Sequence, residues 1–259
     1  MSRLGRRSTR SDATRVRPYL ANQVAGMRVA TPSFLAIPML RSFWTMGSVD
    51  ENGDVYDASM QSRTVTNNSS VTFGAQSTMP YSTYDGTNYL DRADEAGLEF
   101  AGGFTAGAWA RFTNAPGGTA ETIMAKQGTP SNTTLGWQLR RQSTTEEIRA
   151  SISGDGLTSV SITNLTVKGN PGVWVFAVFR FTASTELAML VNGTKRTITT
   201  SIPAAAFDHA ENYSIGAQRP SVSGRELMTG DISFAFLAAS VLSDAHVKHL
   251  YDVSKGLFV

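Results

Sequence analysis

Apolar and polar residues alternate along most of the chain in short stretches that Gly, Asn and Asp interrupt. Phe104, Ala106, Ala108, Ala110 and Phe112 share one face of an extended segment, and Thr105, Gly107, Trp109 and Arg111 share the other. That period of two predicts a strand. Residues 173–181 read Val-Trp-Val-Phe-Ala-Val-Phe-Arg-Phe, apolar on both faces, which predicts a central strand covered on both sides. The segments 186–191 and 194–199 flank Asn192-Gly193. Asn-Gly supplies the two positive-φ positions of a type I′ turn, so a hairpin is expected there. Further strands are expected at 40–46, 64–66, 71–73, 84–90 (around an Asp85-Gly86 turn), 122–126, 136–142, 147–153, 159–163, 213–216 and 230–238. Turns are expected at 50–54 and 154–156. One helix is expected at 243–252, with Ser243 as N-cap, Asp244 in the first turn, and an apolar face of Val247, Leu250 and Tyr251. Many strands and one late helix predict an all-β, two-sheet antiparallel jelly-roll sandwich.

Composition agrees. Of 259 residues, 17% are charged and 41% hydrophobic, and a β-sandwich of this length commonly forms one unit. The absence of cysteine excludes disulfides, a thiolate nucleophile and Cys-ligated metal. No stretch approaches the ~20 apolar residues that span a bilayer, and the first residues lack the apolar core of a secretory signal. Activity outside a cell would then depend on another exit, such as host lysis.

Charge is unevenly distributed. Residues 1–18 hold Arg3, Arg6, Arg7, Arg10, Arg15 and Arg17 against Asp12, a net of +5; with +2 for the whole chain, the remainder carries −3. This arm is polar and aperiodic, so it is expected to order only on a partner. Residues 19–38 are apolar, with Tyr19, Leu20, Val24, Met27, Phe34 and Ile37 punctuated by Pro32 and Pro38. They are expected to form an extended strap packed on the sandwich or on a neighbour. The chain thus divides into residues 1–38, arm and strap, and residues 39–259, sandwich.

Several pieces, in order, resemble the laminin-G-like branch of the concanavalin A-like lectin/glucanase superfamily. They are Phe43-Trp44 with Asp57-Ala-Ser59, Asp85-Gly86 with Tyr89-Leu90, Phe104-Thr105 with Trp109, Trp174-Val-Phe176, Ala188 to Gly193, Gly230-Asp-Ile232 and Val241-Leu-Ser243. The long opening at 40–57 and Leu90-Asp-Arg-Ala-Asp94 are similar to the version found in structural proteins of tailed-bacteriophage virions. The resemblance implies a jelly roll that binds or builds.

Candidate chemistry is sparse. Glucanases of this fold carry Glu-x-Asp-x-x-Glu so that two carboxylates share a cleft, and that string is absent. Glu146 and Glu147 are adjacent and face opposite ways on a strand, and Asp91, Asp94 and Glu95 fall in a turn. There is no Gly-x-Ser-x-Gly elbow. His246 and His249 sit three apart on the helix and read as a solvated pair. The chain is therefore read as non-enzymatic. The resemblance implies a candidate calcium site, with Asp57 as one ligand; Asp50 and Asp54 could add oxygens. The second family ligand position holds Ser233. Trp109, Trp137 and Trp174 read as core. The resemblance implies that a sugar site would use rim loops, for which the candidates are 128–134 and 217–226, with Asn132, Gln218, Arg219 and Arg225.

The arm carries the most specific functional signal, since arginine pairs bidentately with carboxylates and phosphates. No aromatic residue is interleaved with the arginines before Tyr19, which favours an acidic protein surface over nucleic acid. The order of arm, strap and sandwich leads to the expectation of a structural protein of a tailed-phage virion, a head decoration or a tail or fibre component. Its partners would be other virion proteins, including copies of itself, and it would assemble in the host cytoplasm without a membrane. The alternative expectation is a carbohydrate-binding module for host-surface glycan.

Overall fold

The computed structural model describes residues 30–59, 61–68, 70–76, 79–100, 102–128, 135–218 and 226–258. Expectations for residues 1–29 lie outside them. In chain order the elements are α1 (Ala30–Leu35), β1 (Leu40–Trp44), β2 (Thr66–Asn68), β3 (Thr72–Gln76), β4 (Met79–Asp85), β5 (Tyr89–Arg92) and β6 (Gly103–Phe112). Then come β7 (Glu121–Gln127), β8 (Leu135–Arg141), β9 (Glu147–Gly156), β10 (Ser159–Lys168) and β11 (Trp174–Thr182). The chain continues with β12 (Glu186–Val191), β13 (Thr194–Ile198), β14 (Tyr213–Ile215), β15 (Thr229–Ala238) and α2 (Asp244–Ser254).

The strands form two antiparallel sheets. One has the order β13-β12-β11-β6-β15-β4-β3, with β1 also paired to β15; the other has the order β10-β9-β8-β7-β14-β5-β2. The fold is the jelly-roll sandwich that the alternation predicts. β15 serves two neighbours by bulging. Its residues 229–232 pair with β4 and its residues 235–238 pair with β1. Between them Phe234 takes a positive φ of 48°, and the register against β6 shifts.

β6 and β11 show why their sequence patterns differ. Phe104, Ala106, Ala108, Ala110 and Phe112 point between the sheets, as do Val175, Ala177, Phe179 and Phe181 of β11. On the reverse face lie Trp109, Trp174, Phe176 and Val178. That face is not open, because α1 and α2 cover it. Phe34 of α1 is fully buried, stacked on Phe43 at 5.1 Å and edge-on to Phe234 at 5.1 Å. Trp109 stacks on Phe258 at 4.2 Å and donates from Nε1 to Ser254 Oγ. All three tryptophans expected in the core are there.

The hairpin turn has Asn192 at φ 49° and Gly193 at φ 80°, the type I′ signature. Ser243 caps α2 by accepting from the His246 N–H. Three local expectations need correction. The strap is helical at 30–35 rather than extended, because Phe34 and Ile37 gain burial on this chain's own sheet. β4 begins at Met79, five residues before the expected start, since Pro80 and Tyr81 look like a break in sequence but pair with β3. α2 runs two residues past the expected 252, carried by Ser254 Oγ donating to the Leu250 carbonyl.

Candidate functional site

The seven-stranded sheet also has two faces, and its outer one is polar. Residues directly opposite across a ladder share a face. Thr66, Asp91, Ser214, Ala125, Gln138, Ser151 and Ser161 are opposite one another in turn across all seven strands. A second row runs Thr122, Arg140, Arg149, Thr163. Their strand neighbours Met124, Leu139, Trp137, Ala150, Ile152 and Ile162 point into the core, so the rows face outward. Hydroxyl, amide and guanidinium groups dominate them.

The middle of the first row is roofed. Gln218 is 5% exposed, and its Nε2 donates to Gln127 Oε1 at 2.8 Å and to Gln138 Oε1 at 2.9 Å. Ser214 Oγ donates to the Ala217 carbonyl at 2.6 Å, folding the chain back over β14. Gly216 makes this reversal at φ +81°, and a Cβ there would collide with the Tyr84 ring. Eight residues after Gln218, Glu226 bonds Arg140. Both ends of the 217–226 loop are therefore fastened to this face. The 128–134 loop starts at Gln127, so the Gln127–Gln218 bond joins the two loops expected to contact glycan. Gln218 itself is an internal strut rather than an exposed contact. Asn132, Arg219 and Arg225 lie outside the described residues.

The edge strand β10 is more open than β8 and β9, where Gln138 and Ser151 are buried. Ser151 and Ser161 share a hydroxyl–hydroxyl bond of 2.9 Å. Arg140 and Arg149 are directly opposite. Burial, then the neighbouring Arg140 charge, holds the Arg149 pKa below its usual value. Such groups suit a polyhydroxylated ligand, because each can donate to or accept from a hydroxyl.

A rim of charge borders the roof. Asp94, Glu99 and Asp208 bring carboxylate oxygens within 4.8 Å of one another. The Lys126 ammonium lies 2.7 Å from Asp94 and 2.8 Å from Asp208. Burial alone would lower its pKa, but bonds to Asp208 and Asp94 raise it overall. This lysine bridges two of the three carboxylates and so offsets part of the cluster's charge from within.

The residues expected to hold calcium do not converge. Asp57 Oδ1 accepts from Phe43 N and Ser59 N, both at 2.8 Å; Oδ2 accepts from Ser59 Oγ at 2.7 Å and Arg63 N at 3.0 Å. Four donors occupy the carboxylate that a Ca²⁺ ion would need. Asp50 Oδ1 closes its own turn on Asn52 N and Asp54 N, and Asp54 Oδ1 accepts from Asn67 N. Among the described residues the three do not form a ligand group. Ser233, at the second family position, is buried and donates to the Pro80 carbonyl. These residues do not fit a calcium ion. Of the His pair, His249 has its Nε2 3.3 Å from Ser33 Oγ.

A two-sheet jelly roll with one face sealed by helices and the other polar defines a lectin-like sandwich. Residues 84–248 match a laminin G model of the Concanavalin A-like lectin/glucanases superfamily. The chain belongs to that superfamily. No curated protein is similar enough in sequence to count as a relative. Among solved structures, the binding domain of botulinum neurotoxin serotype G is similar at 12% identity and a TM-score of 0.62, over 83% of this chain and 51% of that one. The binding domain of Paraclostridial Mosquitocidal Protein 1 gives 9% identity and a TM-score of 0.64, over 82% and 51%. The binding domain of botulinum neurotoxin DC in complex with rat synaptotagmin II gives 12% and 0.61, over 83% and 51%. This chain spans about half the length of these solved chains, and the likeness is one of fold.

Proposed function

We propose that the protein is a non-enzymatic recognition module that binds a host-surface glycan on the outer face of the seven-stranded sheet. The observation that carries this reading is the anchoring of loop 217–226 at both ends, Gln218 on Gln127 and Gln138, Glu226 on Arg140. Fixed loop ends beside a row of hydroxyls and amides lower the entropy cost of binding a flexible polar ligand. Superfamily membership and the binding domains among its structural neighbours support a binding role by analogy of fold. The missing Glu-x-Asp-x-x-Glu string supports the non-enzymatic part. A glycan array tests it. The full chain should bind a defined glycan set, and Gln218→Ala should lose most of that signal while remaining folded. Absence of any glycan signal, or full signal in the variant, overturns the reading.

A second reading concerns where the module works. Residues 1–29 join the molecule at α1, on the helix-covered face. An arm attached there would leave the opposite, polar face turned outward. That arrangement supports a structural component of a tailed-phage virion, held by Arg3, Arg6, Arg7, Arg10, Arg15, Arg17, Tyr19 and Leu20 against an acidic protein surface. Removing residues 1–29 should abolish particle incorporation and leave glycan binding intact. Unchanged incorporation contradicts it.

A further inference from the structure

Guanidinium groups in folded proteins are nearly always spent on carboxylates or carbonyls, and this chain follows the rule closely. Arg63, Arg92, Arg111, Arg141 and Arg180 each meet a carboxylate. Arg149 and Arg41 differ from these five, and each has a buried Nε that has no partner; of the two it is Arg149 that faces a second arginine across the ladder. It has no hydrogen-bond or ion-pair partner among the described residues, and its Nε is buried with nothing to donate to. It projects from the outer face of β9, where its cross-ladder neighbours are Arg140 and Thr163. Ser151 lies two residues along the same face, its hydroxyl shared with Ser161. Glu147, two residues the other way, has its Oε2 engaged by the Thr145 hydroxyl. Arg140 bonds Glu226, yet its Nε too is buried and unpaired, as is Glu226 Oε2. Two like charges set directly opposite on a sheet destabilise it, and a single carboxylate leaves one positive charge over.

We infer that Arg149, flanked by Arg140, Ser161 and Thr163, is a binding site for one anionic group, a carboxylate or sulfate carried by the ligand. Two oxygens of such an oxyanion would take the unspent N–H groups of Arg149 in the bidentate geometry that guanidinium favours. It would also remove the repulsion between the two arginines. The site rests on the proposed glycan reading only for its ligand class: the glycan would be an acidic one. Its position beside Glu226, at the fastened end of the 217–226 loop, joins anion binding to the same face.

Two arms test this. The first titrates the ¹⁵N-labelled full chain with inorganic sulfate, against sodium chloride at matched ionic strength, and follows the Arg149 Nε–H resonance, assigned by its loss in Arg149→Gln. A saturable sulfate-specific shift is expected; no shift, or an equal one with chloride, overturns the inference. The second compares sulfated or carboxylated glycans with their neutral parents. Wild type should prefer the acidic member, and Arg149→Gln should cut that binding by roughly tenfold to a hundredfold while sparing the neutral parent. Equal binding of both glycans, unchanged by Arg149→Gln, overturns the anion site and leaves the glycan reading standing. A sulfate shift with no glycan binding at all supports the anion site and removes the glycan reading.

Discussion

The two sheets have opposite outer faces. On the eight-stranded sheet the outward residues are Phe43, Trp109, Trp174, Phe176, Phe234 and Phe236, covered by α1 and α2. On the seven-stranded sheet the outward rows are mostly Ser, Thr, Gln and Arg, covered in part by Ala217 and Gln218, the latter held through side-chain amides. The same backbone architecture thus makes one face that is sealed and one that is polar. An apolar outer face must be sealed, because water-exposed aromatics of that area would drive association. A polar outer face can stay partly open; some of its buried members find partners, as Gln127 and Gln138 do in Gln218, and others, such as Arg149 Nε, do not.

This contrast can be broken experimentally. The largest effect belongs to the sealed face: Phe34→Ala removes a fully buried ring from an aromatic cluster. A loss of about 3–5 kcal/mol in unfolding free energy is expected by denaturant titration. A loss under about 1 kcal/mol would mean that α1 is not part of the folded core.

The next effect is at the Asp57 turn. Asp57→Ala strands four donors, and a cost of about 1–3 kcal/mol is expected. Because those donors saturate the carboxylate, chelator or added Ca²⁺ should leave the melting temperature of the wild type unchanged. A calcium-dependent rise abolished by Asp57→Ala would show the carboxylate to be a ligand instead.

A smaller effect follows from His209, which lies beside Lys126 at the rim of the polar face. Burial holds its pKa below the ordinary 6.5. The unfolded chain therefore takes up a proton that the folded chain refuses, and stability falls as pH drops below about 6.5. His209→Gln should flatten the melting temperature against pH across that range. An unchanged slope would assign the acid sensitivity elsewhere.

The smallest effect on stability is expected at the open flank. Ser161→Ala should stay within about 0.5 kcal/mol of wild type while weakening ligand binding, the reverse of the Phe34→Ala outcome.

Sequence pattern revealed the sealed face better than the polar one. The alternation of β6 and the double-sided apolar run of β11 are local signals, and so are Asn192-Gly193 and the Ser243 cap. Each depends on neighbours within a few residues. α1 escaped because six residues containing Pro32 carry no helical period; only Phe34 docking on a distant sheet makes the helix. The polar site is long-range throughout. Gln218 meets Gln127 and Gln138 across separations of 91 and 80 residues, and no spacing rule links them. Gln218, from the loop 217–226 expected to contact glycan, bonds Gln127, the strand residue just before the expected loop 128–134. Arg149 has no motif at all; its lack of a partner is visible only once its neighbours are in place. Asp57 lies in the Asp-x-Ser turn of the family pattern, but the turn's own donors use the carboxylate.

The central claim is that the outer face of the seven-stranded sheet is the recognition surface. Backbone amide chemical-shift mapping with the strongest array ligand tests it most directly. The expected perturbations cluster on Gln138, Arg140, Arg149, Ser151, Ser161 and Thr163, with the α1–α2 face unmoved. Perturbations confined to α1, α2 and the residues they cover would contradict the account.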